Sequence, residues 1–537
     1  MKALEKILFV IIMIVMLLPA IQKEFKIMPD KKLQGDFKLA DKPVFSWESW
    51  NEGVFQTDFD KWLEDHIGFR NFFVRINNQI DFSLFGEVHA DGVVLGKENV
   101  LYEFDYIREY TGNDFVGYYL IDKRIRQLTF LQKHLKENFD IDLVLVFEPG
   151  KANYLPEFIP DQYLINKKSP TNFQVYKNTA ENYKTNFINW NDWYINSIKP
   201  LANYPVYTKY GIHWSEYGMT FALDSMISFI ENTRHIDLRE MIIDSLAIED
   251  CSRTPDYDIG AALNLMFRLP EHEKFAYPAY KFGPTEGKDF PMVLVAGDSY
   301  YWNIFNTGIA RELFKNQAFW YFNNLVYPDT YSDTTTVNDL NLKEEIEKQD
   351  VIFLMVTGRF LYKFDWGFVS KLYDIYGIKS KYDKVYDIMN GITAYSVWFD
   401  NMVRQAEDNA IPLSEVLTLN ARYIYETDNL EDYLILRGQE HFEEKIRHDS
   451  NWMLSIRKKA IENNISEKEM IQREANYMFQ SDHPDSFEKH QKLRQFKAEI
   501  KDDPIRYKEL QIKASYYFLT VDEMLQIEAE KMLDKNE

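Results

Sequence analysis

At 537 residues the chain is long enough for two or three domains with separate cores, and 46% hydrophobic with 27% charged residues excludes a disordered protein. A formal net charge of −22 leaves no basic surplus to displace counterions from a phosphate backbone, so nucleic acid is excluded as a partner. The one cysteine, Cys251, excludes an internal disulfide and a thiolate metal cluster, and no metal or cofactor motif is present.

In chain order, the first feature is an uncharged apolar run, Ile7 to Ile21, between Lys6 and Lys23. As a helix it spans about 22 Å, less than a hydrocarbon core of about 30 Å, but the flanking lysines can snorkel. Residues 1–22 therefore read as a membrane anchor or a signal segment, with lipid contact through 7–21. Cleavage after Ala20 would place bulky Leu18 where a small residue is needed, which favours the anchor. The body then lies on the periplasmic or extracytoplasmic side. Residues 23–50, with Pro29, Pro43 and several lysines, read as a tether.

Two amphipathic helices follow within 51–86, one carrying Phe55, Phe59, Trp62 and Leu63 on one face, the next Phe72, Phe73, Ile76 and Ile80. Short strands are expected at 92–96 and 100–102, a helix over 118–138 and a buried strand over 141–147. Next come a helix over 171–186, a strand over 205–208 and a helix over 215–232. Strand 292–296 precedes a helix over 301–314, then strands 319–325 and 351–356 flank a helix over 340–349. Such alternation predicts an α/β fold, a mostly parallel sheet covered by helices on both faces, over residues 51–390.

The tail differs in kind. Ala406, Ala460 and Ala514 share a spacing of 54 residues with Ala421, Ala475 and Ala529, and Glu415, Glu469 and Glu523 align with them. Residues 395–537 thus read as three all-α repeats of two helices each, joined at Ile411, Ile465 and Leu519. They would serve as an appendage packed on the catalytic domain or as a surface for a protein partner.

The chemistry concentrates at two places. Ser299 ends the apolar run of Pro291-Met-Val-Leu-Val-Ala-Gly-Asp-Ser299, where Gly297 permits a turn and the following helix offers backbone N–H groups to an oxyanion. His213 sits in Tyr210-Gly-Ile-His-Trp-Ser-Glu-Tyr-Gly218, also before a helix. Taken singly, Ser299 has a weaker alternative reading as a helix N-cap and His213 an equal one as a core histidine; together they are the minimum for acyl transfer. Gly-x-Ser-x-Gly, His-Glu-x-x-His and phosphate-loop motifs are missing.

The order of these segments resembles the alginate O-acetyltransferase family, SGNH-hydrolase-like proteins of bacterial exopolysaccharide O-acetylation. The resemblance is carried by Phe59-Asp-Lys-Trp-Leu-Glu-Asp-His-Ile-Gly-Phe-Arg70, Leu84-Phe-Gly86, Val94-Leu-Gly-Lys97, Glu148-Pro-Gly-Lys151, Tyr154-Leu-Pro-Glu157, the His213 segment, Gly297-Asp-Ser299 and Arg359. It covers roughly residues 45–375 and leaves the repeats outside. It implies a flavodoxin-like fold and acetyl transfer to a sugar hydroxyl through an acetyl-serine. A polysaccharide is then the acceptor, and a membrane-bound acyltransferase brings the acetyl group. By position, Ser299 is implied as nucleophile, with its backbone N–H in the oxyanion hole, His213 as base and Arg359 as an oxyanion or substrate contact. Lys151 matches a family lysine without an assigned role.

One position departs from that pattern. The family places Asp two residues before this histidine, and here that residue is Gly211. Glu216 is the nearest substitute for the acid in sequence, and Asp298 beside the serine reads as a support of the turn. Three functions stay open: a membrane-anchored exopolysaccharide O-acetyltransferase, a catalytically silent module that binds polysaccharide or partners, and a carbohydrate acetyl esterase. Restoring the acid by Gly211→Asp is expected to raise activity if the missing carboxylate limits it.

Overall fold

The computed structural model describes residues 2–35, 38–165, 167–168 and 170–536. The N-terminal apolar run folds as helix α1 (Lys2–Phe25), longer at both ends than the run itself. Its 22-residue candidate span, Leu4–Phe25, is exposed over its first turns, while Leu18 and Pro19 are partly covered and Gln22 is buried near its end. At 1.5 Å per residue it reaches about 33 Å, enough to cross a hydrocarbon core. Helices α2 (Val54–His66) and α3 (Arg70–Phe85) follow, joined by a turn at residues 67–69.

The strands in chain order are β1 (Val93–Leu95), β2 (Leu101–Glu103), β3 (Asp142–Glu148), β4 (Phe187–Asn189), β5 (Met241–Glu249), β6 (Phe275–Phe282), β7 (Val293–Gly297), β8 (Ala318–Tyr321), β9 (Leu325–Tyr327) and β10 (Val351–Thr357). Six of them form one sheet in the order β4-β3-β10-β7-β8-β9, parallel except for the edge pair β8–β9. β3, β7 and β10 are buried along their whole length because helices cover both faces. Alternate side chains go to opposite cores: Leu143, Leu145, Leu294, Ile352 and Leu354 to one, Val144, Val146, Val293, Val295 and Phe353 to the other. Helix α4 (Tyr118–Phe139) packs on the first face and α5 (Glu216–Arg234) on the second.

Several expectations are corrected. Residues 205–208 make no strand but a single bridge, Tyr207 to Trp214. The helix over 301–314 is two, Tyr301–Asn306 and Ile309–Leu313, because Gly308 between them takes a left-handed φ of +74°. Residues 319–325 are not one strand: the chain turns back at Phe322 and Asn323, both at positive φ, and β9 pairs antiparallel with β8. The β5–β6 ribbon lies in a stretch with no periodic pattern, and it carries a loop, residues 250–274, that matters below.

In the tail each full 54-residue unit holds three helices, not two. Ser396–Asp408, Leu413–Asp428 and Leu430–His448 are followed by Ser450–Glu462, Glu467–Asp482 and Pro484–Asp502, then by Pro504–Tyr516 and Val521–Asn536. The geometry recurs with the spacing of the alanines. Ala410, Asn464 and Phe518 all adopt left-handed φ (52°, 54° and 53°). The N–H groups of Ile411, Ile465 and Leu519 each return to the carbonyl of Ala406, Ala460 or Ala514, closing the first helix of the unit. The core of the sheet's first face runs on into Phe399, Met402, Leu413 and Leu417 of the first unit. The last unit comes back to α4, where Arg126 donates to Glu523 (2.7 and 3.2 Å) and to the Phe518 carbonyl (2.9 Å).

Candidate active site

Ser299 stands at the carboxyl end of β7, beside β10 in the middle of the sheet, where open α/β sheets hold their ligands. The turn is held from below. Asp298 is fully buried and accepts from the Tyr300 N–H (3.0 Å), the Thr357 N–H (2.9 Å) and the Thr357 hydroxyl (2.6 Å) at the end of β10. Its carboxylate is spent on the turn, which leaves the Ser299 side chain half-buried and facing the crevice.

The His213 Nε2 lies 2.8 Å from the Ser299 Oγ. The carboxylate on the other ring nitrogen is neither Gly211 nor Glu216 but Asp258, whose Oδ2 is 3.0 Å from Nδ1. Its Oδ1 accepts from the backbone N–H groups of Ile212 (2.8 Å) and Ile259 (2.7 Å), which fixes the carboxylate plane toward the ring. Glu216 is the first residue of α5 and its N–H reaches Asp256 at 3.3 Å; burial and the Glu249 charge push its carboxyl up, and Arg253 counters them. It is therefore not the acid on His213.

The histidine loop is clamped from several sides. Fully buried Lys151 donates to the carbonyls of Gly211 (2.6 Å) and Lys209 (3.0 Å), and burial pulls its ammonium down to about 7. The Tyr300 ring packs edge-on against His213 with centroids 5.0 Å apart, while its hydroxyl donates to the Ile212 carbonyl at 3.3 Å. Ser215 caps α5 by accepting from the Gly218 N–H at 2.9 Å, which ends the loop. Gly211 is tight for a physical reason. A Cβ there would lie 2.6 Å from the Thr208 Oγ1 and 2.7 Å from the Asp256 carbonyl oxygen.

Arg359 has its contacts elsewhere than on the relay. Its guanidinium forms an ion pair with Glu103 of β2 and lies over the rings of Tyr106 (4.9 Å) and Phe360 (4.4 Å). An aromatic cluster continues the core of the sheet's first face beyond β7. Tyr321 pairs in register with Gly297, and the next residue, Phe322, donates its N–H to the Gly297 carbonyl at 2.9 Å. The Phe322 ring meets Phe360 and Trp366, both at 5.3 Å between centroids. Phe322 and Trp366 hold left-handed φ values of 51° and 49°, each costing about 1–2 kcal/mol for a residue with a Cβ.

Under the turn, Glu148 at the end of β3 is fully buried against the Asp298 carboxylate. Burial, then the Asp298 charge, pushes it well above the usual range. Above the unfolded carboxyl pKa of about 4.3 the folded state keeps a proton that the unfolded chain has lost, so this group's contribution falls as pH rises. Glu148→Gln should remove that slope and supply an amide donor to Asp298. Its melting temperature is expected to rise above that of the wild type, by a margin that widens from about pH 5 to pH 8. A margin independent of pH would mean that Glu148 is ionised in the folded protein.

Asp258 is the residue that sequence reasoning missed. It lies 45 positions past His213, in the loop between two strands that were themselves unmarked, and Thr254-Pro-Asp-Tyr-Asp-Ile-Gly260 matches no motif of the reading above. No family model and no curated protein matches the chain. Among solved structures it is similar to the O-acetyltransferase domain of Pseudomonas putida AlgJ, at 15% identity and a TM-score of 0.34, over 53% of this chain and 99% of that one. Pseudomonas aeruginosa AlgX is similar at 13% identity and a TM-score of 0.27, over 50% and 57%. Bacillus cereus PatB1 is similar at 15% identity and a TM-score of 0.27, over 46% and 91%.

Proposed function

We propose that the protein is a membrane-anchored, exported acyltransferase that moves an acetyl group through Ser299 to a hydroxyl of an exopolysaccharide. The observation that carries this reading is the relay Ser299 Oγ–His213 Nε2–His213 Nδ1–Asp258 Oδ2, with steps of 2.8 and 3.0 Å. In the first half-reaction Oγ adds to the acetyl carbonyl of the donor, its proton passes to Nε2, and Asp258 stabilises the imidazolium. The Ser299 N–H serves the oxyanion at the end of β7. Collapse expels the donor's leaving group, which takes the proton from Nε2, and leaves an acetyl ester on Ser299. In the second, His213 takes the proton of a sugar hydroxyl, whose oxygen attacks the ester, and Ser299 regains its hydrogen.

A sugar as acceptor fits the partly exposed rings of Phe322 and Trp366 beside the turn, since sugar ring faces pack on such surfaces. A membrane-bound acyltransferase as donor fits a body tethered to the membrane by α1. The silent-module reading drew on Gly211, and with a carboxylate on Nδ1 that reason falls away. The esterase reading is the same relay with water as acceptor.

The test is direct. Full-length protein with an acetyl ester and a panel of bacterial exopolysaccharides should yield acetylated polymer, and Ser299→Ala should abolish it while binding of polymer persists. Free acetate with no acetylated polymer would make the protein an esterase. Polymer acetylation that survives Ser299→Ala would overturn the assignment.

A further inference from the structure

Helix α3 is built inside out. The side chains it buries are polar: Arg75 is 7% exposed and Asn78 9%. Arg75 donates to the carbonyls of Leu265 (3.1 Å) and Lys32 (2.8 Å), and Asn78 to that of Leu263 (2.9 Å). Apart from Phe82, which packs on the core of the body, the larger apolar side chains are left exposed. Phe73 and Ile80 are each 48% exposed, Leu84 70% and Phe85 68%, and Phe72 is exposed with them. Positions 73, 76, 80 and 84 form one stripe at helical spacing that carries no charge. The neighbouring loop extends the patch with Phe267, whose N–H bonds Gln79 at 3.1 Å. Soluble monomers rarely leave a contiguous apolar face of this kind open.

What covers it is indicated by α1. The turn between α2 and α3 is jammed against the last turns of that helix: a Cβ on Gly68 would sit 2.0 Å from the Pro19 oxygen, 2.8 Å from the Lys23 nitrogen and 2.9 Å from the Gln22 Cβ. Lys23 lies over the Trp62 ring of α2 at 4.7 Å. Residues 19–23 are the end of the apolar span, so the α2–α3 turn is fixed at the depth where lipid gives way to water. Trp47 and Trp50 are exposed just before α2, and such rings favour that boundary. Between residues 23 and 32 the chain carries Lys23, Lys26, Lys31 and Lys32 against Glu24 and Asp30, a local cationic excess in an acidic protein and suited to anionic headgroups.

We propose that α3 lies in the lipid–water boundary of the bilayer that α1 enters, with its apolar stripe in the acyl region and its polar face holding the catalytic body. The partner is a lipid surface. The polar face grips residues 263–265, and Asp258 begins the short helix that ends at Ala262, just before them. The docking helix and the acid of the relay thus share one loop, which sets the height of Ser299 above the membrane.

The proposal rests on α1 being the anchor, and the experiment separates the two. Full-length chain with Cys251→Ser carries one nitroxide label, at Ile12→Cys, Ile80→Cys, Leu84→Cys or Asp60→Cys, in vesicles of phosphatidylcholine with phosphatidylglycerol. Labels at 80 and 84 should be more accessible to oxygen than to a water-soluble nickel chelate, at about 5–10 Å below the headgroups, and the label at 60 the reverse. Water-exposed labels at 80 and 84 with a lipid-exposed label at 12 overturn the proposal and leave the anchor standing. Labels at 80 and 84 shielded from both reagents overturn it in favour of a second copy of the chain. A water-exposed label at 12 removes the anchor itself.

Discussion

Asp258→Asn is expected to lower the rate of acetyl transfer by about four orders of magnitude while the protein stays folded. The geometry explains the size. In the wild type Oδ2 accepts a hydrogen bond from the Nδ1–H, which leaves Nε2 unprotonated toward the Ser299 hydroxyl. The two N–H groups on Oδ1 keep their acceptor in the variant, because the amide oxygen takes that position. The amide nitrogen then faces Nδ1 as a donor and selects the other tautomer, with the proton on Nε2 directed at Oγ. Such a ring cannot take the proton of the serine. Initial rates with an acetyl ester, together with a melting curve, are the measurement. Glu216→Gln is the control, and its rate should stay within about twofold of the wild type, since a carboxylate outside the relay contributes little to the transition state. Near-wild-type turnover by Asp258→Asn would place the acid elsewhere.

The sheet was legible because its signal is local. Runs such as Val293-Leu-Val-Ala-Gly297 contain nothing that could face water, and helices between such runs leave a parallel sheet as the economical arrangement. Ser299 and His213 were legible for the same reason: each follows a strand or loop and precedes a helix. The edges were less so. Phe322 and Asn323 turn the chain at positive φ, and a phenylalanine at such a position gives no turn signal, so the two strands merged into one. The third helix of each 54-residue unit was missed because its burial falls on Tyr433, Ile435 and Phe442 in one unit but on Ser486, His490 and Leu493 in the next. The repeated alanines mark only the pair of helices that meet closely. Asp258 could not be found by pattern at all. A carboxylate that works from another loop leaves no spacing to read, and only the fold brings residue 258 beside residue 213.

At Gly211 the resemblance and the structure disagree about what aspartate would do. Read as a vacancy, the position invites Gly211→Asp as a repair. The structure predicts damage instead. The Gly211 N–H donates to the Thr208 Oγ1 at 2.9 Å, and that hydroxyl donates to the Asp256 carbonyl at 2.5 Å. Both atoms stand where a Cβ would go, and one of them is backbone, which cannot rotate aside. Any side chain must push residues 256–258 away from the histidine loop, and Asp258 moves with them. Overpacking of this kind costs about 1–3 kcal/mol of stability. A displacement of about 1 Å in the acid costs on the order of 10²-fold in rate. Gly211→Ala isolates the cause, because it adds the Cβ and no charge. Both variants should lose melting temperature, and both should lose turnover by a similar factor, with the aspartate no better than the alanine. If Gly211→Asp exceeds wild-type turnover, the site was incomplete without it, and Asp258 is a structural residue that merely touches the ring. Glycine here thus marks a relay whose acid arrives from another loop, and the space an aspartate would need is the space that loop occupies.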